Sequence, residues 1–171
     1  MSATERGTAY HRVAECMNLS GVRHSKQVEE RIEQLVLQGK MTQTAADTIN
    51  PYDIYVFCQS ELCRRMINAE QKMKLYKEQP FVFAKAAREV YPEYDSEQEI
   101  LVQGIMDAYF EEDDEIVLID YKTDYVKTEE ELVKRYKKQL EIYAESLEQM
   151  TGKKVKERII YSFCLGKEIF V

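Results

Sequence analysis

No apolar run in this chain approaches the roughly 20 residues that a membrane-spanning helix needs. The opening Met1-Ser-Ala-Thr-Glu-Arg6 lacks the charged-then-apolar layout of a secretion signal. Both absences argue against a helical membrane protein, and a cytoplasmic setting is the expectation. Cysteine is scarce and scattered: Cys16, Cys58, Cys63 and Cys164 contain no C-x-x-C pair. Zinc and iron–sulfur sites need closer ligand spacing, so these four read as buried, reduced thiols. The chain also lacks a Gly-x-x-x-x-Gly-Lys-Ser/Thr loop, which excludes an ATP-driven motor from it. Internal repeats and low-complexity linkers are missing too.

What is present suits a soluble globular chain. Its 171 residues, 44% of them hydrophobic, suffice for one domain with a real core. The net charge of −7 speaks against a general nucleic-acid binder. Its distribution is uneven, however. Basic residues gather at Arg64-Arg65, at Lys134-Arg135 with Lys137-Lys138, and at Lys153-Lys154 with Lys156 and Arg158. Acids gather at 93–99, 111–115 and 129–131. Each cluster taken singly reads as a solvated face.

Residues 1–68 read as mainly helical and 70–171 as an α/β core. Tyr10, Val13, Ala14 and Met17 repeat at helical spacing, with Thr8 as a candidate cap. Ser25 opens a second helix through Val28, Ile32 and Leu35, which Gly39 ends. A short helix is expected near 42–49, and Pro51 starts another predicted to continue to Met66 or Ile67. Strand character begins at Lys72, with Pro80 as an edge or a break before Phe81-Val-Phe83. Residues 101–111 and 115–122 form a hairpin whose all-acidic turn predicts a loop slightly longer than two residues. Leu132, Tyr136, Leu140, Tyr143 and Leu147 make one stripe on a helix over 129–150, capped by Thr128 and followed by Gly152. Strands at 158–164 and 167–171 complete an α/β architecture with an N-terminal helical region.

Asp107, Asp120 and Lys122 interrupt otherwise apolar strands. An unpaired charge in such a place is costly, so something must compensate these three. In a hairpin turning near Asp113, Asp107 and Asp120 fall opposite or one pair apart, close enough to share a cation. Asp120 and Lys122 are two residues apart and point to the same side of the sheet. Two carboxylates with few other ligands favour a hard ion, Mg²⁺ or Mn²⁺, that keeps water for chemistry. A lysine beside it can orient or deprotonate that water, or stabilise charge on a phosphoryl oxygen. The set suits phosphodiester hydrolysis. On these grounds alone, a structural ion network among the same residues explains the pattern equally well.

Gly104-Ile-Met-Asp107 followed by Asp120-Tyr-Lys122-Thr-Asp124 resembles the paired signature of the PD-(D/E)XK nuclease superfamily. Within it, the likeness is to the RecB-type nuclease domain at the C-terminal end of bacterial ATP-dependent helicase–nucleases. Gly7-Thr-Ala-Tyr-His11 resembles that family's G-T-x-x-H element, Glu78-Gln-Pro-Phe81 its E-x-P-F strand, and Gln139-x-x-x-Tyr143 its Q-x-x-x-Y element. The elements come in order and span nearly the whole chain.

The resemblance implies a restriction-endonuclease-like core, a mixed β-sheet flanked by helices. It implies an Mg²⁺- or Mn²⁺-dependent single-strand DNA exonuclease cutting 3′ to 5′, within a machine that processes double-strand ends for recombinational repair. Carried over by position, His11, Asp107, Asp120 and the Tyr121 main-chain carbonyl bind the metal, and Lys122 is the catalytic lysine. Gln139 and Tyr143, one turn apart on a helix face, bind or position DNA together with Thr123. The implied partners are single-stranded DNA, a helicase motor and a second helicase–nuclease polypeptide, this chain being a piece of a longer protein. The cysteine pattern of an iron–sulfur cluster is absent, so none is expected. Blander readings stand beside these: His11 as a satisfied helix histidine, Tyr143 as plain core, Thr123 and Asp124 as braces of the strand end, His24 as a surface residue. A self-standing exonuclease and a non-catalytic DNA-end binding module are the competing functions.

Overall fold

The computed structural model describes residues 3–90, 93 and 96–171. Helices α1 (Ala3–Cys16), α2 (Ser25–Leu37), α3 (Gln43–Ala46), α4 (Pro51–Cys58) and α5 (Glu61–Gln71) come first. Strand β1 (Leu75–Ala86), the single turn α6 (Ala87–Val90), β2 (Glu99–Glu112) and β3 (Glu115–Lys122) follow. Helix α7 (Glu129–Thr151), β4 (Val155–Ser162) and β5 (Lys167–Phe170) end the chain. Among the described residues, five strands share one sheet whose spatial order is the chain order. Neighbours are antiparallel except β3 and β4, which run parallel and therefore need the crossover that α7 supplies.

The position of β3 in mid-sheet explains its composition. Residues 116–121 are buried on both faces, as a continuous apolar run predicts. Val117, Ile119 and Tyr121 pack against Tyr10, Val13, Phe57 and Met66 of the N-terminal helices. Ile116 and Leu118 pack on the opposite face under Leu132, Leu140 and Leu147 of α7. Burying each of those leucines contributes about 2 kcal/mol. The sheet is thus a middle layer between two helical layers, a mixed sheet flanked by helices. Among the described residues no helix is long and apolar enough to cross a membrane.

One irregularity in the sheet places the acids. Met106 belongs to the α7-side core, whereas Ala108 and Phe110 belong to the other. A regular strand would keep these three on one face, so the pleat slips at Asp107. Strand β1 slips at the same level: Phe81 and Phe83 join the α7 side while Leu75 joins the other. Glu78 lies between, with a φ of 50°. It falls between the pairs Lys77↔Ala108 and Gln79↔Met106, and so stands across from Asp107.

Several local expectations are corrected. Thr8 does not cap α1 but sits inside it, its hydroxyl donating to the Thr4 carbonyl at 3.0 Å. The helix expected from Pro51 to Met66 or Ile67 is broken at Gln59-Ser60, where the Ser60 hydroxyl accepts from Cys63 N–H and starts α5. Lys72 ends α5 rather than opening a strand, and Met73 turns the chain with a φ of 56°. Pro80 lies within β1, tolerated because β1 is an edge strand. The acidic turn is two residues, not longer: Glu112 pairs with Glu115, and Asp113 and Asp114 take φ values of 54° and 63°. Aspartate tolerates that conformation, and Lys153 and Lys156 neutralise the turn. Thr128 stands at the N-cap of α7 without a side-chain capping bond, while Gly152 closes it at φ 68°. Strand β4 starts earlier than expected, at Val155. Residues 94 and 95 of the acidic run at 93–99 lie outside the described residues.

Arg65 ties α5 to the far end of the hairpin. Its guanidinium donates to Glu112 at 3.1 and 2.7 Å and to Glu157 at 2.8 Å, lying 5.4 Å from the Phe110 ring centroid. Hydrogen bonding from Arg65, aided by Lys156, holds the Glu112 carboxyl down at about 2. A carboxyl lowered by folding adds stability above its unfolded range and loses it as pH falls towards the folded value. Arg65→Ala is expected to cost about 2 kcal/mol at pH 7 in urea denaturation. Its difference from the parent should shrink from about pH 4.5 downwards to about pH 2.

Candidate active site

A cleft of about 630 Å³ opens where the slipped hairpin meets the end of β3 and α1 crosses both. His11, Glu78, Asp107, Lys122, Thr123 and Tyr136 are among its lining residues. Strand pairing ends at Ala108↔Ile119, so Asp107 and Asp120 are the facing residues one step further on.

Asp107 is fixed at both oxygens. Oδ2 accepts the Tyr121 backbone N–H at 2.7 Å, and Oδ1 lies 2.9 Å from His11 Nδ1. His11 Nε2 lies 2.9 Å from the Tyr121 carbonyl. Both partners of the imidazole are acceptors, so both contacts are satisfied together when each ring nitrogen carries a proton. Burial pulls the His11 pKa down, but the Asp107 hydrogen bond and charge outweigh it, so the net shift is upward. Glu78 completes the group. One ligand atom each from His11, Glu78 and Asp107 lie within 4.8 Å of one another. Burial, then the charge of Asp107, raises the Glu78 carboxyl.

Asp120 stands outside that tight group yet within electrostatic reach of it. It is 3% exposed, and burial pushes its carboxyl up to about 6, with Asp107 adding and Lys122 opposing. Lys122 Nζ comes within 2.7 Å of Asp120 Oδ2. That approach lies off the hydrogen-bonding direction, so the buried oxygen has no aligned donor. The carboxyls of Glu78, Asp107 and Asp120, the last with an orphaned buried oxygen, a backbone carbonyl and one imidazole are a donor set rich in negative charge. It fits a hard divalent cation of the Mg²⁺ or Mn²⁺ kind. Loading it would displace the second His11 proton, because a ligating imidazole is neutral.

The same cleft is lined by Lys122. Burial pulls its ammonium down, but the negative charge of Asp120 leads the opposing effects and leaves it raised. Gln139 Oε1 lies 3.4 Å from Nζ, and Gln139 Nε2 donates to the Tyr143 hydroxyl at 3.0 Å. The Tyr143 ring meets Phe81 edge-on at 5.1 Å. Gln139 and Tyr143 therefore stand behind the lysine, the Tyr143 ring packing on the core while its hydroxyl engages Gln139. Asp124 braces α7, bonding Arg135 and Tyr136. His24 is exposed and flanks α2 with no capping bond.

Two residues of this cleft escape a local reading of the sequence. Glu78 stands out there only as part of the E-x-P-F strand, and Tyr136 only as a member of an apolar stripe. The signal that points to Glu78 is an acid in an edge strand just before a proline. Gly104 has a structural reason: a Cβ there would stand 2.8 Å from Phe81 Cε1. Gly104→Ala is expected to cost about 1–3 kcal/mol by overpacking. It should also slow turnover, because Phe81 supports Tyr143 and through it Gln139; thermal denaturation and activity measured together check this.

Comparison with known proteins identifies the family. The family model of the PD-(D/E)XK nuclease superfamily matches residues 1–167. The ATP-dependent helicase/nuclease (its A subunit) of Clostridium botulinum (strain Alaska E43 / Type E3) is 41% identical over 175 residues, covering 100% of this chain and 14% of that protein. The protein of the same description from Clostridioides difficile (strain 630) is 38% identical over 178 residues, covering 99% of this chain and 14% of that protein. The chain thus spans about 14% of the length of these relatives. A solved structure, that of SSO0001, superposes with a TM-score of 0.39 at 12% identity over 95% of this chain and 73% of that one, too loosely to add weight. With the matched family model running almost end to end, the chain belongs to the PD-(D/E)XK nuclease superfamily.

Proposed function

We propose that this domain is an Mg²⁺- or Mn²⁺-dependent deoxyribonuclease that degrades single-stranded DNA as an exonuclease. Residues 1–68 and 70–171 act together as one nuclease module of a cytoplasmic helicase–nuclease that processes double-strand ends for recombinational repair. Its partners are the helicase motor and a second helicase–nuclease polypeptide, a reading supported by the helicase/nuclease names of the relatives. The observation that carries the proposal is the donor cluster of His11, Glu78 and Asp107 in one cleft with Lys122.

A divalent cation held by His11, Asp107, Asp120, the Tyr121 carbonyl and Glu78 would acidify a bound water and neutralise charge on the phosphate. Asp107, clamped by the Tyr121 N–H, keeps its carboxylate aimed without needing the ion to order it. Lys122 orients the water or takes up charge on a phosphoryl oxygen, and Asp120 keeps its ammonium charged at neutral pH. Gln139 and Tyr143 limit the sweep of the lysine. Thr123 offers a hydroxyl to the scissile strand from the cleft wall.

The test is hydrolysis of end-labelled single-stranded DNA by the 171-residue chain with Mg²⁺ or Mn²⁺. Mononucleotide or short products are expected, lost on chelation and lost in Asp120→Ala. Cleavage that persists through both treatments would remove the proposal.

A further inference from the structure

We infer that Tyr136 is a positioning residue for Lys122, holding the ammonium against the face of its ring while Asp124 anchors the ring from its hydroxyl end. The inference rests on the nuclease reading above, since it assigns Tyr136 a part in that same site.

Lys122 leaves the end of β3 on a long flexible stem, and a point charge on such a stem needs several restraints to hold one place. Three meet at Nζ. Asp120 Oδ2 is 2.7 Å away, Gln139 Oε1 is 3.4 Å away, and the Tyr136 ring centroid is 4.3 Å away. The first two are oxygen acceptors. The ring acts differently: its negative face attracts the charge without a lone pair and without claiming a particular N–H. An ammonium has three donors. With one turned to Gln139, and Asp120 engaged by charge off the hydrogen-bonding direction, a donor stays available for a water or a phosphoryl oxygen. A carboxylate in place of the ring would hold the ammonium more strongly but cancel the charge that the chemistry uses.

The ring is itself held. The Tyr136 hydroxyl donates to Asp124, with Oδ1 at 2.9 Å and Oδ2 at 3.0 Å. Arg135 Nη1 donates to the same Oδ1 at 2.6 Å. Asp124 lies two residues after Lys122, so the contacts close a loop: lysine to ring, ring to carboxylate, carboxylate back to the strand end that bears the lysine. Gln139 follows Tyr136 by three residues and so shares its helix face. An ordinary core position would not need this. Leu132, Leu140 and Leu147 on the same stripe are fully buried, whereas Tyr136 is half-buried and lines the cleft.

Ring electronics separate this role from packing. In the full 171-residue chain, Tyr136 is replaced by Phe and then by phenylalanines bearing one, two and three ring fluorines, which weaken the negative face with little change of shape. The kcat on single-stranded DNA with Mn²⁺ is expected to fall stepwise, by about tenfold across the series. From Phe onward, where the hydroxyl is already gone, KM and Tm should stay constant. A second readout needs no activity: the ¹⁹F resonance of the singly fluorinated chain should move on Lys122→Met in metal-free protein. A flat kcat series in an active chain, or a ¹⁹F resonance that ignores Lys122, overturns the inference. A chain inactive already as the parent contradicts the nuclease reading instead, and the ¹⁹F shift then still decides the contact.

Discussion

Asp107→Asn is expected to weaken Mn²⁺ binding by about 100-fold or more and to bring turnover to background, while leaving the fold intact. The amide keeps the size of the carboxylate and an oxygen for the Tyr121 N–H, so no buried backbone donor is orphaned. What it loses is the charge at the centre of the donor group. Asp107 raises both the Glu78 and the Asp120 carboxyls, so neutralising it relieves repulsion in the metal-free protein. Tm should therefore hold or rise as function is lost, the behaviour of a site whose charges serve chemistry rather than stability. Calorimetric titration with Mn²⁺ and thermal denaturation, run on the same sample, check both halves. Glu78→Gln belongs beside it, with an expected loss of about tenfold in affinity. Parent-like Mn²⁺ binding by Asp107→Asn would take the ion away from this cluster.

Lys122→Met is expected to behave in the opposite way. The thioether keeps much of the aliphatic stem but offers no charge to water or phosphate, so kcat should fall by about 10²- to 10³-fold. The ion's ligands are untouched, and Mn²⁺ should still bind. Stability is where the variant differs. Asp120 is 3% exposed, and Lys122 is its counter-charge at 2.7 Å. Removing one partner of a buried pair leaves the other uncompensated, at a cost of about 1–3 kcal/mol. A ligand that binds only the folded state recovers such a loss. Metal-free Lys122→Met should melt below the parent, and saturating Mn²⁺ should raise its Tm by more than it raises the parent's. Equal increments would mean that the ion does not contact Asp120.

These two outcomes depend on features that are legible in the sequence to very different degrees. Asp107, Asp120 and Lys122 stand out because charge in an apolar strand is anomalous whatever the fold around it. Strand β3 and helix α7 are readable for the same local reason: a continuous apolar run and a 3.6-residue stripe each describe the burial of one element. The break at Ser60 is harder, since a serine hydroxyl can point to solvent or cap a new helix with the same sequence around it. The two-residue turn at Asp113-Asp114 is harder still, because its counter-charges, Lys153 and Lys156, arrive from some forty positions downstream.

The sequence by itself determined the succession of a helical part, a hairpin, a long helix and closing strands, the apolar faces, and the residues with chemistry to offer, because each of these follows from neighbours within a turn or a strand. Only the tertiary structure decided which of those residues meet. A period-two count assumes an unbroken pleat, and it would set Met106, Ala108 and Phe110 on one face. The sheet instead slips at Asp107 and Glu78, where each strand switches which of its alternate residues face each core. That slip brings Glu78 to the candidate metal group. The docking of α7 on the strand end likewise turns Tyr136 from one more apolar residue into the surface against which Lys122 rests. Contacts between residues distant in sequence depend on how layers pack, and local pattern carries no record of that.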